Sequence, residues 1–186
     1  LVVESFDNSS PYTWFTGTSS NSEVSISNSA YTIRILTEPT RSDATSWGSL
    51  QDLVFDDISV EAHFRATDFA DGEGNRIGVW VRYQDSSNFL AFLVNSNGRY
   101  RIARFEGEYI DVNAGWLDSA AIVTGDNAAN ILRVDSLGDR FDFYINGQYV
   151  ESVIDSTWSE GRVALMGSVA VNTGVFFIDE VSICGN

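Results

Sequence analysis

The sequence predicts an all-β, antiparallel two-sheet sandwich. Three observations carry that reading. Apolar and polar residues alternate with period two, as in Ile58-Ser59-Val60-Glu61-Ala62-His63-Phe64-Arg65-Ala66, so one side of each strand faces a core and the other faces water. Gly- and Asn-rich turn signals separate these runs at short spacing, and helical periodicity is nearly absent. Asn146-Gly147 joins residues 139–145 to 148–153, and Asn-Gly is the strongest two-residue hairpin signal because a type I′ turn needs φ > 0 at both central positions.

Taken in order, Val24-Ser25-Ile26 and residues 31–35 alternate cleanly, then residues 58–66 and 77–83. Residues 88–95 are almost continuously apolar, the pattern of a strand covered on both faces. Residues 99–105 and 131–134 complete the middle. The Asn146-Gly147 hairpin, residues 161–165 and residues 174–181 close the chain. Turns are expected at 71–75, 85–87, 96–98, 125–127 and 137–139. Residues 16–22 are Ser/Thr-rich and read as loop. Residues 111–119 are expected to hold a short turn or bent strand around Trp116. No linker or repeat divides the chain, so residues 1–186 read as a single domain.

Composition narrows the function. The chain is 44% hydrophobic and 13% aromatic, ample for a core and far from a disordered composition. All 11 basic residues are arginine, against 26 acids, for a net charge of −15. That charge speaks against nucleic acid as a partner, because phosphate binding needs a basic footprint. It suits a secreted protein kept soluble by negative charge, or a saline habitat in which Ca²⁺ offsets some of the acids. Cys184 alone makes no internal disulfide and reads as a small, semi-buried hydrophobe. No run reaches the roughly 18 apolar residues of a membrane helix, so the chain is expected not to be membrane-embedded. Leu1-Val2-Val3-Glu4 lacks a basic start and a following apolar stretch, so a mature or excised secreted domain is expected. Asn8-Ser9-Ser10 is a formal glycosylation sequon.

The carboxyl-terminal order of hairpin, Gly161-Arg162-Val163-Ala164-Leu165 and Gly174-Val175-Phe176-Phe177-Ile178-Asp179-Glu180-Val181 resembles the last half of concanavalin A-like (laminin G-like) jelly-roll domains. Upstream, Phe55-Asp56-Asp57-Ile58-Ser59-Val60-Glu61-Ala62 and Gly78-Val79-Trp80-Val81-Arg82-Tyr83-Gln84-Asp85 are similar to the same family's strands. The resemblance covers residues 50–183 well and the first 50 loosely. It implies a jelly-roll sandwich, a fold that hosts lectins, glycan-binding modules, glycosidases and adhesion domains.

In such jelly rolls sugars commonly lie on the concave sheet. Aromatic rings stack on a pyranose face, and guanidinium groups donate paired hydrogen bonds to hydroxyls or carboxylates. The resemblance therefore implies a ligand face made of Glu61, His63, Arg65, Trp80, Arg82, Arg101 and Tyr144. The competing reading pairs each strand arginine with a cross-strand acid and puts Trp80 in the core. A one-residue slip in register would exchange every residue on the face for its neighbours. The loop-like aromatics Tyr12, Trp14, Phe15, Trp47 and Trp158 form a second group, able to line a sugar site at the sandwich edge or to plug its ends, and Trp158 reads as a plug.

His63 is the only histidine, which disfavours a transition-metal site. Calcium suits the acidic loops better. Related sandwiches share a structural Ca²⁺ between the first and last strands, which implies Asp7 and Asp179 as ligands, with Asp56, Asp57, Asp71 and Glu73 as alternatives. The paired carboxylates of related glycosidases, E-x-D-x-x-E or E-x-D-x-E on one strand, do not occur; the nearest groupings are Asp56-Asp57 with Glu61, and Glu106-Gly107-Glu108. No nucleophile elbow or phosphate-cradling loop occurs either. The expectation is a non-catalytic, extracellular or cell-surface module that binds a polysaccharide or other glycan. The alternative is a structural or adhesive domain that self-associates or binds protein, and a glycosidase or lyase ranks last.

Overall fold

A computed structural model describes residues 2–7, 11–36, 43–67, 69, 74–170 and 172–185. Among the described residues the chain forms two antiparallel sheets and no helix. The nine-stranded sheet contains β1 (Val2–Glu4), β2 (Gly17–Thr18), β3 (Ser22–Ser27), β4 (Ala30–Ile35), β6 (Ile58–Ala66), β12 (Ala128–Leu137), β13 (Arg140–Ile145), β14 (Gln148–Ile154) and β16 (Gly174–Gly185). The seven-stranded sheet contains β5 (Ala44–Ser49), β7 (Arg76–Asp85), β8 (Asn88–Asn95), β9 (Arg99–Glu106), β10 (Tyr109–Asp111), β11 (Leu117–Asp118) and β15 (Arg162–Val169). Their orders are β14-β13-β12-β6-β16-β4-β3-β2, with β1 beside β16, and β10-β9-β8-β7-β15-β5, with β11 beside β9.

The alternation places the core between the sheets. Val60, Ala62 and Phe64 of β6 are buried, while Ser59, Glu61, His63 and Arg65 between them are half-exposed. Phe141, Phe143 and Phe176 meet Val79, Phe92, Ile102 and Leu165 from the other sheet. The Phe92 and Phe143 rings stand 4.9 Å apart across the interface. Burying each such side chain stabilises the fold by about 1.5–3 kcal/mol.

A second apolar cluster lies on the outer face of the seven-stranded sheet. It holds Trp80, Tyr83, Phe89, Leu93 and Met166, with Trp47, Phe105 and Trp116 packed against it. Strand β8 is sandwiched between the two clusters, as its unbroken apolar run predicts: Leu90, Phe92 and Val94 face the core, and Phe89 and Leu93 face outward.

The closing hairpin forms as expected, with Asn146 at φ 51° and Gly147 at φ 76°. Asn146 also fixes the turn to its surroundings, accepting from the Ile131 N–H at 2.7 Å and donating to the Ala121 carbonyl at 2.7 Å. Several sequence expectations are corrected. Trp47 stands on strand β5, not in a loop, and residues 16–22 hold β2 and the start of β3. Trp14 is a core residue, because it packs against Phe6 and Tyr31. Cys184 is exposed rather than semi-buried, because it takes an outward position on β16. The sequon at 8–10 lies outside the described residues.

Candidate functional site: a groove at the sandwich edge

Strand β5 reads Ala44-Thr45-Ser46-Trp47-Gly48-Ser49, one large ring among small residues, and it is the last strand of its sheet. The segment before β2 runs alongside it. Trp14 bridges Leu50, and the Phe15 N–H donates to the Ser49 carbonyl at 2.9 Å. A groove of about 680 Å³ opens between them. Phe15, Trp47 and Tyr83 supply its rings, and Thr18, Asn21, Ser49 and Gln51 supply uncharged polar groups. Among the described residues Asp85 and Arg162 are its only charged lining residues, and both lie where β7 ends and β15 begins.

The groove wall is set from inside the sandwich. The buried Tyr31 hydroxyl donates to the Phe15 carbonyl at 2.5 Å, and burial pushes the Tyr31 phenol pKa far up. Trp47 Nε1–H donates to the Tyr83 hydroxyl at 3.3 Å. Behind this pair the rings continue as a ladder over the sheet: Trp47 to Trp80 at 5.4 Å, Trp80 to Phe89 at 3.8 Å, Phe89 to Phe105 at 5.0 Å and Phe105 to Tyr109 at 4.8 Å. Such contacts hold Trp47 in place at little entropic cost to a ligand that stacks on it.

Arg162 is held over the Tyr83 ring at 5.5 Å, and its Nη2 donates to the Gln84 carbonyl at 3.0 Å. Seven other arginines are ion-paired, whereas Arg162 has no carboxylate partner within salt-bridge distance among the described residues. Arg162 is also one of the groove's lining residues. Asp85 accepts from the Ser87 N–H at 2.7 Å and from Asn88 Nδ2 at 2.9 Å, and these bonds hold its carboxyl below the usual range. Farther along the same face, Arg76 pairs with Asp43 beside Trp116, and Arg101 pairs with Asp111 beside Tyr109.

No family model and no curated protein sequence matches the chain. Solved structures do. A carbohydrate-binding module, CBM66 from Bacillus subtilis, superposes with TM-score 0.66 at 18% identity, covering 91% of this chain and 95% of that one. A prokaryotic β-1,3-1,4-glucanase (lichenase) derived from a mouse hindgut metagenome gives TM-score 0.67 at 10% identity over 100% and 99%. The Bacillus licheniformis β-glucanase gives 0.63 at 9% identity over 100% and 98%. The chain has the concanavalin A-like jelly-roll fold. At these identities the likeness establishes architecture, and chemistry has to be argued from the site.

This jelly roll does not gather the seven expected ligand residues on one face. Glu61, His63, Arg65 and Tyr144 point outward from the nine-stranded sheet. Trp80 and Arg101 point outward from the seven-stranded sheet, on the opposite side of the sandwich. The reason is topological: β6 and β7 are consecutive but belong to different sheets, so their outward residues point apart. Trp80 is only 2% exposed, so it forms the floor beneath Trp47 rather than a contact surface.

Arg82 lies inside. A bulge between Val81 and Asp85, with Arg82 at φ 52°, breaks the alternation and turns its side chain inward. Its guanidinium donates to the carbonyls of Phe55 at 3.2 Å, Gly138 at 3.1 Å and Asp56. Burial pulls its pKa down, while the nearby charges of Asp57, Asp56 and Glu160 push it up. It clamps loops rather than binding ligand. The same bulge brings Tyr83 to the groove, which is why strict alternation missed it. Of the loop-like aromatics, Phe15 and Trp47 do line the edge.

The remaining expected residues are engaged locally. His63 Nε2 and Glu61 Oε1 stand 3.1 Å apart, and Arg65 pairs with Asp179 at 3.3 Å while lying over Phe177. Strands β1 and β16 do pair, as the calcium expectation requires. Asp179, however, is committed to Arg65, Asp57 accepts from the Gly138 N–H at 2.7 Å, and no three His, Cys, Asp or Glu gather into a metal cluster among the described residues. Asp7 and Asp179 belong to no such cluster among the described residues, and Asp71 and Glu73 lie outside them. As for acids on the seven-stranded sheet, β5, β8 and β15 contain no Asp or Glu, β7 and β9 carry one each at their last residue, and β10 and β11 carry Asp111 and Asp118.

Proposed function

We propose that the domain is a non-catalytic module of an extracellular or cell-surface protein, and that it holds a polysaccharide chain in the edge groove. One observation carries this reading. The groove combines the exposed Phe15 ring and the half-buried Trp47 ring with uncharged hydroxyl and amide groups and a single guanidinium that has no acid partner among the described residues. That is the chemistry a sugar requires: a flat apolar surface for its C–H face and fixed donors and acceptors for its hydroxyls. Trp47 and Phe15 are the stacking rings. Arg162 is the principal donor, and Gln51 and Ser49 complete the polar wall.

Two further points support the reading. One structural neighbour is itself described as a carbohydrate-binding module. The lining strands supply no pair of facing carboxylates with which to cleave a glycosidic bond, although other neighbours are glucanases.

A glycan array followed by titration calorimetry on the hits tests this directly. Trp47→Ala should weaken binding by about tenfold or more, the loss of a stacking contact of roughly 1.4 kcal/mol. Trp158→Ala, at a residue that does not line the groove, should leave affinity unchanged. Release of reducing ends from a bound polysaccharide would refute the non-catalytic assignment.

A further inference from the structure

The opposite side of the sandwich carries a feature the groove does not explain. Across the outer face of the nine-stranded sheet, Tyr149, Tyr144, Arg133, Glu61 and Ser182 lie in one cross-strand row, each opposite the next in register. The row crosses five strands, or about 19 Å at the usual strand spacing. It ends in an aromatic pair, the exposed Tyr149 and the half-buried Tyr144. Tyr149 is 57% exposed, and its ring stands 5.7 Å from that of Tyr144.

A bulge creates this pair. The β13–β14 register shifts between Phe143 and Tyr144, so that Phe143 faces Glu151 while Tyr144 faces Tyr149. Without the extra residue, Val150 would stand opposite Tyr144. Bulges of this kind re-aim a side chain at the cost of ladder hydrogen bonds. Here the result is an exposed ring at a position where an ordinary ladder would place valine.

Fixed polar groups surround the pair. Arg133 lies over the Tyr144 ring at 3.9 Å, covering one of its faces. The Tyr149 and Ser152 hydroxyls are 2.8 Å apart, and Arg140 reaches Ser152 at 3.1 Å. A shallow groove of about 310 Å³ borders Arg140, Asp142, Asp135 and Ser59. Its two acids are each paired, Asp142 with Arg140 at 2.8 Å and Asp135 with the neighbouring Arg133 at 3.1 Å, in a chain of net charge −15. A patch of near-balanced charge, in which Glu61 is paired with His63 rather than with an arginine, joins an exposed ring to preset hydroxyl, guanidinium and carboxylate groups and suits an uncharged, hydroxyl-rich polymer better than a polyanion.

We propose that Tyr149 and Tyr144 form a second glycan platform, so that the domain is bivalent and cross-links two stretches of polysaccharide on opposite faces of the sandwich. The inference rests on the glycan-binding reading of the edge groove and adds a second, independent site. Two weak sites on one rigid body hold a repeating polymer far more tightly than either alone, and they bridge separate chains as well.

Affinity electrophoresis in gels containing a panel of neutral polysaccharides (β-1,3-glucan, β-1,3-1,4-glucan, fructan, galactan) tests it. The proteins compared are the wild type, Trp47→Ala, Tyr149→Ala and the double variant, with thermal melting confirming that each is folded. Tyr149 is exposed on an edge strand, so its truncation leaves the core intact. On any polysaccharide that retards the wild type, each single variant should keep partial retardation and the double variant should lose it. The wild type alone should turn a solution of that polysaccharide turbid. If either single variant abolishes retardation, or Tyr149→Ala behaves as wild type in both assays, bivalence is overturned and a single site remains. If no panel member retards the wild type, the glycan-binding reading itself fails and takes the second platform with it.

Discussion

The hydroxyl of Tyr31 occupies the space that a β-carbon on residue 48 would need, so Gly48 and Tyr31 are a matched pair. Gly48 leaves room on the edge strand, and the hydroxyl uses that room to reach the Phe15 carbonyl at 2.5 Å. The groove wall thus depends on a residue that no ligand touches. Tyr31→Phe removes one buried hydrogen bond and should cost about 1 kcal/mol in urea unfolding, while loosening Phe15 and lowering glycan affinity. Gly48→Ala forces the β-carbon into the hydroxyl and should destabilise by about 1–3 kcal/mol. The double variant should recover part of that loss because the clashing oxygen is gone, and simple additivity of the two changes would refute the pairing.

Arg82 and Gly161 form a second such relationship. A β-carbon on Gly161 would overlap the Arg82 backbone, and the Arg82 side chain satisfies three carbonyls from two separate loops. Arg82→Ala should therefore lose about 2–3 kcal/mol of stability, since it removes the charge-assisted hydrogen bonds that tie the two loops together. Arg82→Lys should recover little of this, because an ammonium lacks the planar fork. Folded Arg82→Ala protein should still bind glycan with near wild-type affinity. A specific loss of affinity without loss of stability would instead make Arg82 a ligand residue.

Tyr100 makes the fold sensitive to alkali. Burial, and secondarily the Glu151 carboxylate 3.3 Å from its hydroxyl, push its pKa up to about 12. A phenol whose folded pKa exceeds the unfolded value near 10 contributes stability that is fully present below pH ~10 and is lost as pH rises through the folded value. Thermal melting should fall between pH 10 and 12, and the fall should be shallower in Tyr100→Phe. Parallel curves would show that Tyr100 ionises no later in the folded state than in the unfolded one.

Arg162 has an equally specific expectation. Because its guanidinium is engaged by one carbonyl and one ring rather than by an acid, Arg162→Gln should leave stability within about 0.5 kcal/mol of wild type. Glycan affinity should fall roughly tenfold, the loss of one or two charge-assisted hydrogen bonds. Unchanged affinity by calorimetry would remove Arg162 from the site.

The strands were legible because their signals are local. The Asn146-Gly147 turn, the alternation along β6 and the two-sided apolar run of β8 each follow from residues adjacent in sequence. The site was less legible because its position depends on pairing between distant segments. Alternation puts Arg82 beside Trp80, but the bulge after Val81 sends Arg82 inward and Tyr83 to the groove. Glu61 and Trp80 both point outward, as their strands predict, yet from opposite sheets. The sequence signal closest to the site was Trp47 next to Gly48. Its meaning depended on the Tyr31 hydroxyl, which is 17 residues away in sequence and in the other sheet.

The central claim is that the edge groove holds a sugar chain against Trp47. The most direct measurement is intrinsic tryptophan fluorescence during titration with the oligosaccharide identified on the array, in wild type and in Trp47→Phe. A sugar stacked on Trp47 should shift the wild-type emission saturably, and the shift should vanish in Trp47→Phe while calorimetry still detects weakened binding. If Trp47→Phe shows the same shift and the same affinity, the groove is not the binding site and the assignment fails.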